Sequence, residues 1–175
     1  SQGIGKVFAF AQALYLFQTP VNIIAVSGRN KATLRRLDVM RRRIPSRTRL
    51  APLGYVTNMN ELMAASDVVV GKAGASTAME AIFLGKPLIF TEWAAYNDRF
   101  IIRFALEYLV GWYCPTVFSF SRLVRKISKT DVLEEYRLNV KNLAFEPGTD
   151  EVADFLLRFA ETRTSREGFY QTVHF

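Results

Sequence analysis

The chain has 175 residues, half of them hydrophobic and 22% charged, which suits one domain with a sizeable core and excludes a disordered chain. One cysteine, Cys114, leaves no internal disulfide framework and fits a reducing compartment, and the single histidine, His174, argues against a metal cluster or a Ser/His/Asp triad. The net charge is +7, and seven arginines fall within RRLDVMRRRIPSRTR, residues 35–49.

The chain opens with SQGIGK, in which Gly3 and Gly5 stand at the start of a helix expected over 4–18. A phosphate loop normally follows a strand, so either this motif is accidental or a strand precedes Ser1 in a longer protein. The apolar run FAFAQALYLF within that helix is far shorter than the roughly 20 residues that span a bilayer, and no secretory leader is expected. VNIIAVS, 21–27, reads as a strand, followed by a helix over 30–44 that Pro45 ends. A short strand with Gly54 lies in 50–56 and a short helix over 59–65.

Strand 67–71, helix 76–84, strand 87–91, helix 98–108, strand 110–113 and helix 119–127 complete the alternation. Helices over 131–143 and 150–163 follow, separated by Pro147-Gly148, and SREGFYQTVHF reads as an irregular tail. Strands spaced by helices imply right-handed βαβ units, an α/β fold with a doubly wound parallel sheet. The expected organisation is a domain over 1–163 and a tail over 164–175. In such sheets ligands bind beyond the carboxyl ends of the strands.

The richest of the loops there lies in DVVVGKAGASTAMEAIFLGKP, residues 67–87. Val68, Val69 and Val70 form a β-branched run typical of a parallel strand covered on both faces. Gly71 and Gly74 permit a sharp turn, and Ala75, Ser76 and Thr77 open a helix whose first amides have no intrahelical partner. Those amides and the helix dipole make a seat for a phosphate or diphosphate. Glu80 follows Ser76 by four residues and shares its helix face, where a carboxylate can accept hydrogen bonds from sugar hydroxyls. The plainer alternative makes Ser76 or Thr77 a helix cap and Glu80 a surface charge.

Other loops add to this edge. Ser27-Gly28-Arg29-Asn30 offers the Arg29 guanidinium to a diphosphate, LGYVTNM (53–59) offers backbone groups to a flat base, and Lys72 is a further cation. TEWAAYNDR (91–99) places Asn97 and Asp98 at a helix start, able either to hold sugar hydroxyls or simply to cap the helix. The arginine cluster reads as a solvated helix end or as attraction to an anionic lipid surface; without interleaved aromatics it is not read as a nucleic-acid site.

SQG before a helix, then SGRN, then LGYVTNMNELMAASDVVVGKAGASTAMEAIFLGKPLIF, resembles the C-terminal half of glycosyltransferase family 28. The SGRN loop and the KAG turn are most similar to its diacylglycerol branch. The resemblance implies the Rossmann-like, donor-binding domain of a GT-B enzyme: an inverting, UDP-sugar-dependent hexosyltransferase acting on a lipid such as diacylglycerol. It implies uracil contacts from the backbone at Tyr55 and Val56 with Met59 packed nearby. Diphosphate contacts would come from Ser1, the Gly3 loop, Gly74, Ala75, Ser76 and Thr77, ribose contacts from Glu80, and donor-sugar contacts from Asn97 and Asp98. Phe100 and Ile101 depart from the polar residues relatives carry there. No metal or other cofactor is implied, the general base is expected in an N-terminal domain outside this chain, and the location is expected to be cytoplasmic, with peripheral contact to the inner membrane face. A UDP-sugar 2-epimerase on the same fold, or a non-catalytic module docking to membrane or partner, are the alternative readings.

Overall fold

The computed structural model describes residues 6–93, 95–96, 98–143 and 148–170, with 161–170 as backbone alone. The chain divides into two compact units, Ser1–Leu143 and Ala144–Phe175, earlier than the division at 163/164 expected from sequence.

In the first unit, helices and strands alternate: α1 Val7–Leu16, β1 Asn22–Val26, α2 Lys31–Arg43, β2 Arg49–Leu53, α3 Met59–Ala64, β3 Val69–Lys72, α4 Ala75–Phe83, β4 Leu88–Glu92, α5 Asp98–Glu107 and β5 Gly111–Tyr113. Helices α6 Val117–Ile127 and α7 Val132–Asn142 close it. Local chemistry sets the boundaries. Asn30 accepts from the Thr33 amide at 2.9 Å and starts α2. Gly85, with φ of 70°, ends the α4 turn where an L side chain would be strained. Thr116 and Ser119 form a reciprocal capping box, so α6 begins two residues earlier than the expected 119.

Every described strand pairing is parallel, as the βαβ pattern requires, but the strands form two ladders, β1–β2 and β3–β4–β5. Asn22 to Val26 lie opposite Arg49 to Leu53. Val69 lies opposite Leu88, which lies opposite Gly111, and the β3–β4 register shifts between Gly71 and Lys72. At Gly111 the backbones come so close that a Cβ would sit 2.7 Å from the Leu88 carbonyl oxygen. Strand β4, paired on both sides, is buried from Leu88 through Thr91. The expected two-sided cover of the Val68–Val70 run is not found: Val70 is 46% exposed, because β3 pairs with β4 alone among the described residues.

Three apolar clusters fill the unit. One joins α3, α4, α5 and β4 around Ala73, Ile82 and Phe90. A second, under α2, gathers Ala11, Tyr15, Ala25, Leu37 and Leu50. The third gathers Phe10 and Leu14 of α1 with Ile23, Val68, Ile89 and Phe120, so α1 packs on both ladders; Phe10 and Phe120 meet edge to face with ring centroids 4.9 Å apart.

The second unit contains α8, Thr149–Tyr170, whose Phe155, Leu156 and Leu157 are exposed. Residues 164–170, expected in an irregular tail, continue this helix, and Ser165, Arg166 and Glu167 include no proline to stop it. Residues 171–175 lie outside the described residues. No described helix is long and apolar enough to cross a membrane.

Candidate functional site

The loops after β1 and β2 are held together first. The Ser27 amide and hydroxyl both donate to the Leu53 carbonyl, each at 2.8 Å. Gly28 adopts φ of 57°, and a Cβ on Gly54 would lie 3.8 Å from the Gly28 carbonyl oxygen. This close approach brings the Arg29 guanidinium 5.3 Å from the Tyr55 ring centroid, a cation–π contact on a ring that is 57% exposed. Arg29 and Tyr55, read separately from sequence, therefore form one surface. Val56 is half-buried beside them. Met59, expected beside a base, packs against the α3/α4 core cluster.

The loops after β3 and β4 form a second pair. The Ala73 amide donates to the Glu92 carbonyl at 2.8 Å, and Lys72 is exposed at the end of β3. Gly74 occupies the N-cap of α4 in an extended conformation, and no side chain caps the helix. The plainer reading, with Ser76 or Thr77 as the cap, is not what the structure shows. The amides of Ala75, Ser76 and Thr77 point outward from the first turn, since the first intrahelical bond runs from the Ala78 amide to the Gly74 carbonyl at 3.0 Å. Nothing lies within 4 Å of where a Cβ on Gly71 or Gly74 would stand. Ala75, Ser76, Thr77 and Glu80 are all exposed, with Ser76 and Glu80 on one face of α4. An anion at this turn would meet free amides, the helix dipole and the Lys72 ammonium, with a carboxylate one turn farther on.

The fifth loop divides. Ser1, Gly3 and Asn97 lie outside the described residues. Asp98 opens α5, and its carboxylate accepts at 2.9 Å from the Ala95 amide three residues upstream, which is not the cap on the first amides of the helix that the sequence also allowed. Sequence reasoning missed the neighbouring cleft, about 680 Å³, lined by Trp93, Arg99, Ile102, Arg103, Leu106, Glu107 and Tyr113. Arg99 stands 5.8 Å from the Trp93 ring and 5.5 Å from the Tyr96 ring. The signal was present as two aromatics and an arginine in a post-strand loop. Phe100 is 63% exposed, and Ile101 packs on the core.

The arginine cluster is partly engaged. Arg41 and Arg42 pair with Asp38 at 2.8 and 2.9 Å, and the Arg41 hydrogen bond holds the Asp38 carboxyl below its usual range. Arg36 lies 3.8 Å over the Phe8 ring. Arg35, Arg43 and Arg47 are exposed.

Residues 8–99 match the glycosyltransferase family 28 C-terminal domain. The chain is 25% identical over 171 residues to monogalactosyldiacylglycerol synthase 2, chloroplastic, of Arabidopsis thaliana, covering 93% of this chain and 36% of that protein. It is 30% identical over 113 residues to a probable monogalactosyldiacylglycerol synthase, chloroplastic, of Nicotiana tabacum, covering 61% of this chain and 20% of that one. A processive diacylglycerol beta-glucosyltransferase of Bacillus pumilus (strain SAFR-032) is 23% identical over 162 residues, covering 90% and 41% respectively. The chain thus spans well under half the length of these relatives. With its parallel α/β unit and the turn from Gly71 into α4 inside the matched segment, the chain belongs to the glycosyltransferase family 28 C-terminal domain family.

Proposed function

We propose that this chain is the donor-nucleotide half of a glycosyltransferase that moves a hexose from UDP to a lipid hydroxyl with inversion, with diacylglycerol as the acceptor. The observation that carries the reading is the uncapped N-terminus of α4, opened by Gly74 and followed on one face by Ser76 and Glu80. The names of the relatives, which include galactosyl and glucosyl transfer to diacylglycerol, support the acceptor class.

In this reading the diphosphate sits on the amides of Ala75, Ser76 and Thr77. As the sugar departs, negative charge grows on UDP, and these amides with Lys72 and Arg29 stabilise it without reorganising. Glu80 accepts the ribose hydroxyls, and the backbone at Tyr55 and Val56 meets uracil, with Arg29 stacked on Tyr55 fixing that loop. No metal is called for, because fixed amides and cations carry the charge. The general base that deprotonates the acceptor belongs to polypeptide outside this chain. Asn97 and Asp98 are the residues proposed to contact the donor-sugar hydroxyls. Arg35, Arg43 and Arg47 supply the contact with an anionic membrane surface, each cation near such a surface contributing about 1 kcal/mol.

Calorimetric titration with UDP, ADP and GDP tests the nucleotide assignment. UDP is expected to bind more tightly than either purine nucleotide. Glu80→Ala, an exposed position whose change leaves the fold intact, is expected to lose about tenfold in UDP affinity, the value of a lost charge-assisted hydrogen bond. Equal affinities for the three nucleotides, or an unaltered Glu80→Ala titration, would overturn it.

A further inference from the structure

Helix α6 has two unlike faces. Phe120, Val124 and Ile127 are buried in one cluster with Phe10 and Leu14 of α1. At roughly 3.6 residues per turn, Phe118, Arg122 and Arg125 fall on the opposite side, and Lys129 follows just past the helix end. All four are exposed, Phe118 by 77%. Residues 117–130 contain no Asp or Glu. Among the described residues Arg122, Arg125, Lys126 and Lys129 take part in no ion pair.

The end of α1 lies against this face. Phe17, itself 58% exposed, and Phe118 line one groove of about 460 Å³ together with Arg122, Arg125 and Lys129. Leu16 is exposed next to Phe17 in the chain. The end of α2 is fastened to the same place. The Tyr15 hydroxyl donates to the Ile44 carbonyl at 2.8 Å, and the Ser46 hydroxyl donates to the Tyr15 carbonyl at 2.7 Å. Ile44 is exposed too, with the exposed Arg43 beside it in the chain. Cations in a last helical turn complement the dipole, which accounts for Arg125 and Lys126. It does not account for Arg122 one turn earlier, or for two phenyl rings held in water among cations. Single exposed apolar residues are ordinary, whereas a group of them rimmed by polar residues marks an interface.

We propose that the outer side of α6, with the ends of α1 and α2, docks on an anionic lipid bilayer. Phe17 and Phe118 enter the boundary of the acyl chains, while Arg122, Arg125 and Lys129 meet the headgroup phosphates. Apolar burial and charge attraction add in interfacial binding, and this face supplies both. Aliphatic Leu16 and Ile44 suit acyl chains better than nucleic-acid bases, which stack on rings. The choice of a lipid occupant rests on the membrane contact of the proposed function. The placement on α1 and α6 is additional to the Arg35, Arg43 and Arg47 assigned there.

Flotation with phosphatidylcholine vesicles, with and without phosphatidylglycerol, tests the placement. The natural chain is expected to float with the anionic vesicles alone. The triple variant Arg122→Gln, Arg125→Gln, Lys129→Gln is expected to bind about a hundredfold more weakly, at about fivefold per cation. Phe118→Ser is expected to lose about tenfold through the apolar contact. These side chains are exposed, so circular dichroism spectra are expected to match that of the natural chain. Phe118→Trp adds a fluorophore whose emission is expected to be quenched by lipids brominated on the acyl chains. Unaltered binding of the α6 variants would overturn the inference; if Arg43→Gln with Arg47→Gln abolishes flotation at the same time, the arginine-cluster reading survives without it. Unquenched emission from vesicle-bound Phe118→Trp would also overturn it. So would saturable binding of polyglutamate, lost in the same variants, with no flotation on vesicles, which would assign the face to an acidic polypeptide. UDP titration of these variants is a separate readout, so failure of the nucleotide reading and failure of this one are told apart.

Discussion

Cys114 follows β5 with 6% of its surface exposed and its amide bonded to the Phe90 carbonyl at 2.8 Å. Burial pushes the thiol above its ordinary 9.0, against a smaller downward pull from a hydrogen bond with Ser119. The folded state thus holds the proton longer than the unfolded chain. Its contribution to stability is fully present below the ordinary thiol value and is lost as pH rises toward the folded one. Urea midpoints of the natural chain are expected to fall above about pH 9 more steeply than those of Cys114→Ala. Parallel curves would contradict the assignment. At the same scale, legibility was uneven. Arg29, Tyr55, Lys72 and Glu80 were readable because the chemistry of a loop side chain is local. The Arg29–Tyr55 contact was not, since it depends on Gly28 and Gly54 bringing two loops together. Asp98 offered two local readings, sugar contact or cap, and the bond that its carboxylate accepts from the Ala95 amide, three residues upstream, is neither.

Alternating apolar runs and turn residues sufficed to place α1 through α7 and β1 through β5 within a few positions, because each is bounded by a local signal such as Asn30, Pro45 or Gly85. Exposure on β3 was not legible: the Val68–Val70 run has the composition of a covered strand, and whether a neighbour is present is a property of topology. Residues 164–170 were misread as irregular for the opposite reason, since their weak apolar pattern masked a continuing helix. Pro52 carries a consequence for β2 as an element. Pro52→Val places a donor on an edge that now offers none at that position, and exposed strand edges template pairing between chains. Sedimentation velocity is expected to show greater concentration-dependent association for Pro52→Val than for the natural chain. Identical profiles would mean that the proline does not guard this edge.

For the whole molecule, the decisive fact is that the chain covers 36% and 41% of two relatives that it matches along most of its own length. The proposed function divides labour accordingly, with the nucleotide held here and the proton removed elsewhere. Incubated with UDP-galactose or UDP-glucose and diacylglycerol vesicles, the 175-residue chain is expected to yield no glycolipid. Product detected by mass spectrometry would show that the base lies within it. Helix α1 bears on this division through what it packs against. Among the described pairings no ladder hydrogen bond joins the two sheets, and Phe10 and Leu14 connect them through apolar contact. The Arg29–Tyr55 loops stand at the end of one ladder and the Gly74–Glu80 turn at the end of the other, so in the proposed reading a UDP that reached both would tie the two ladders together.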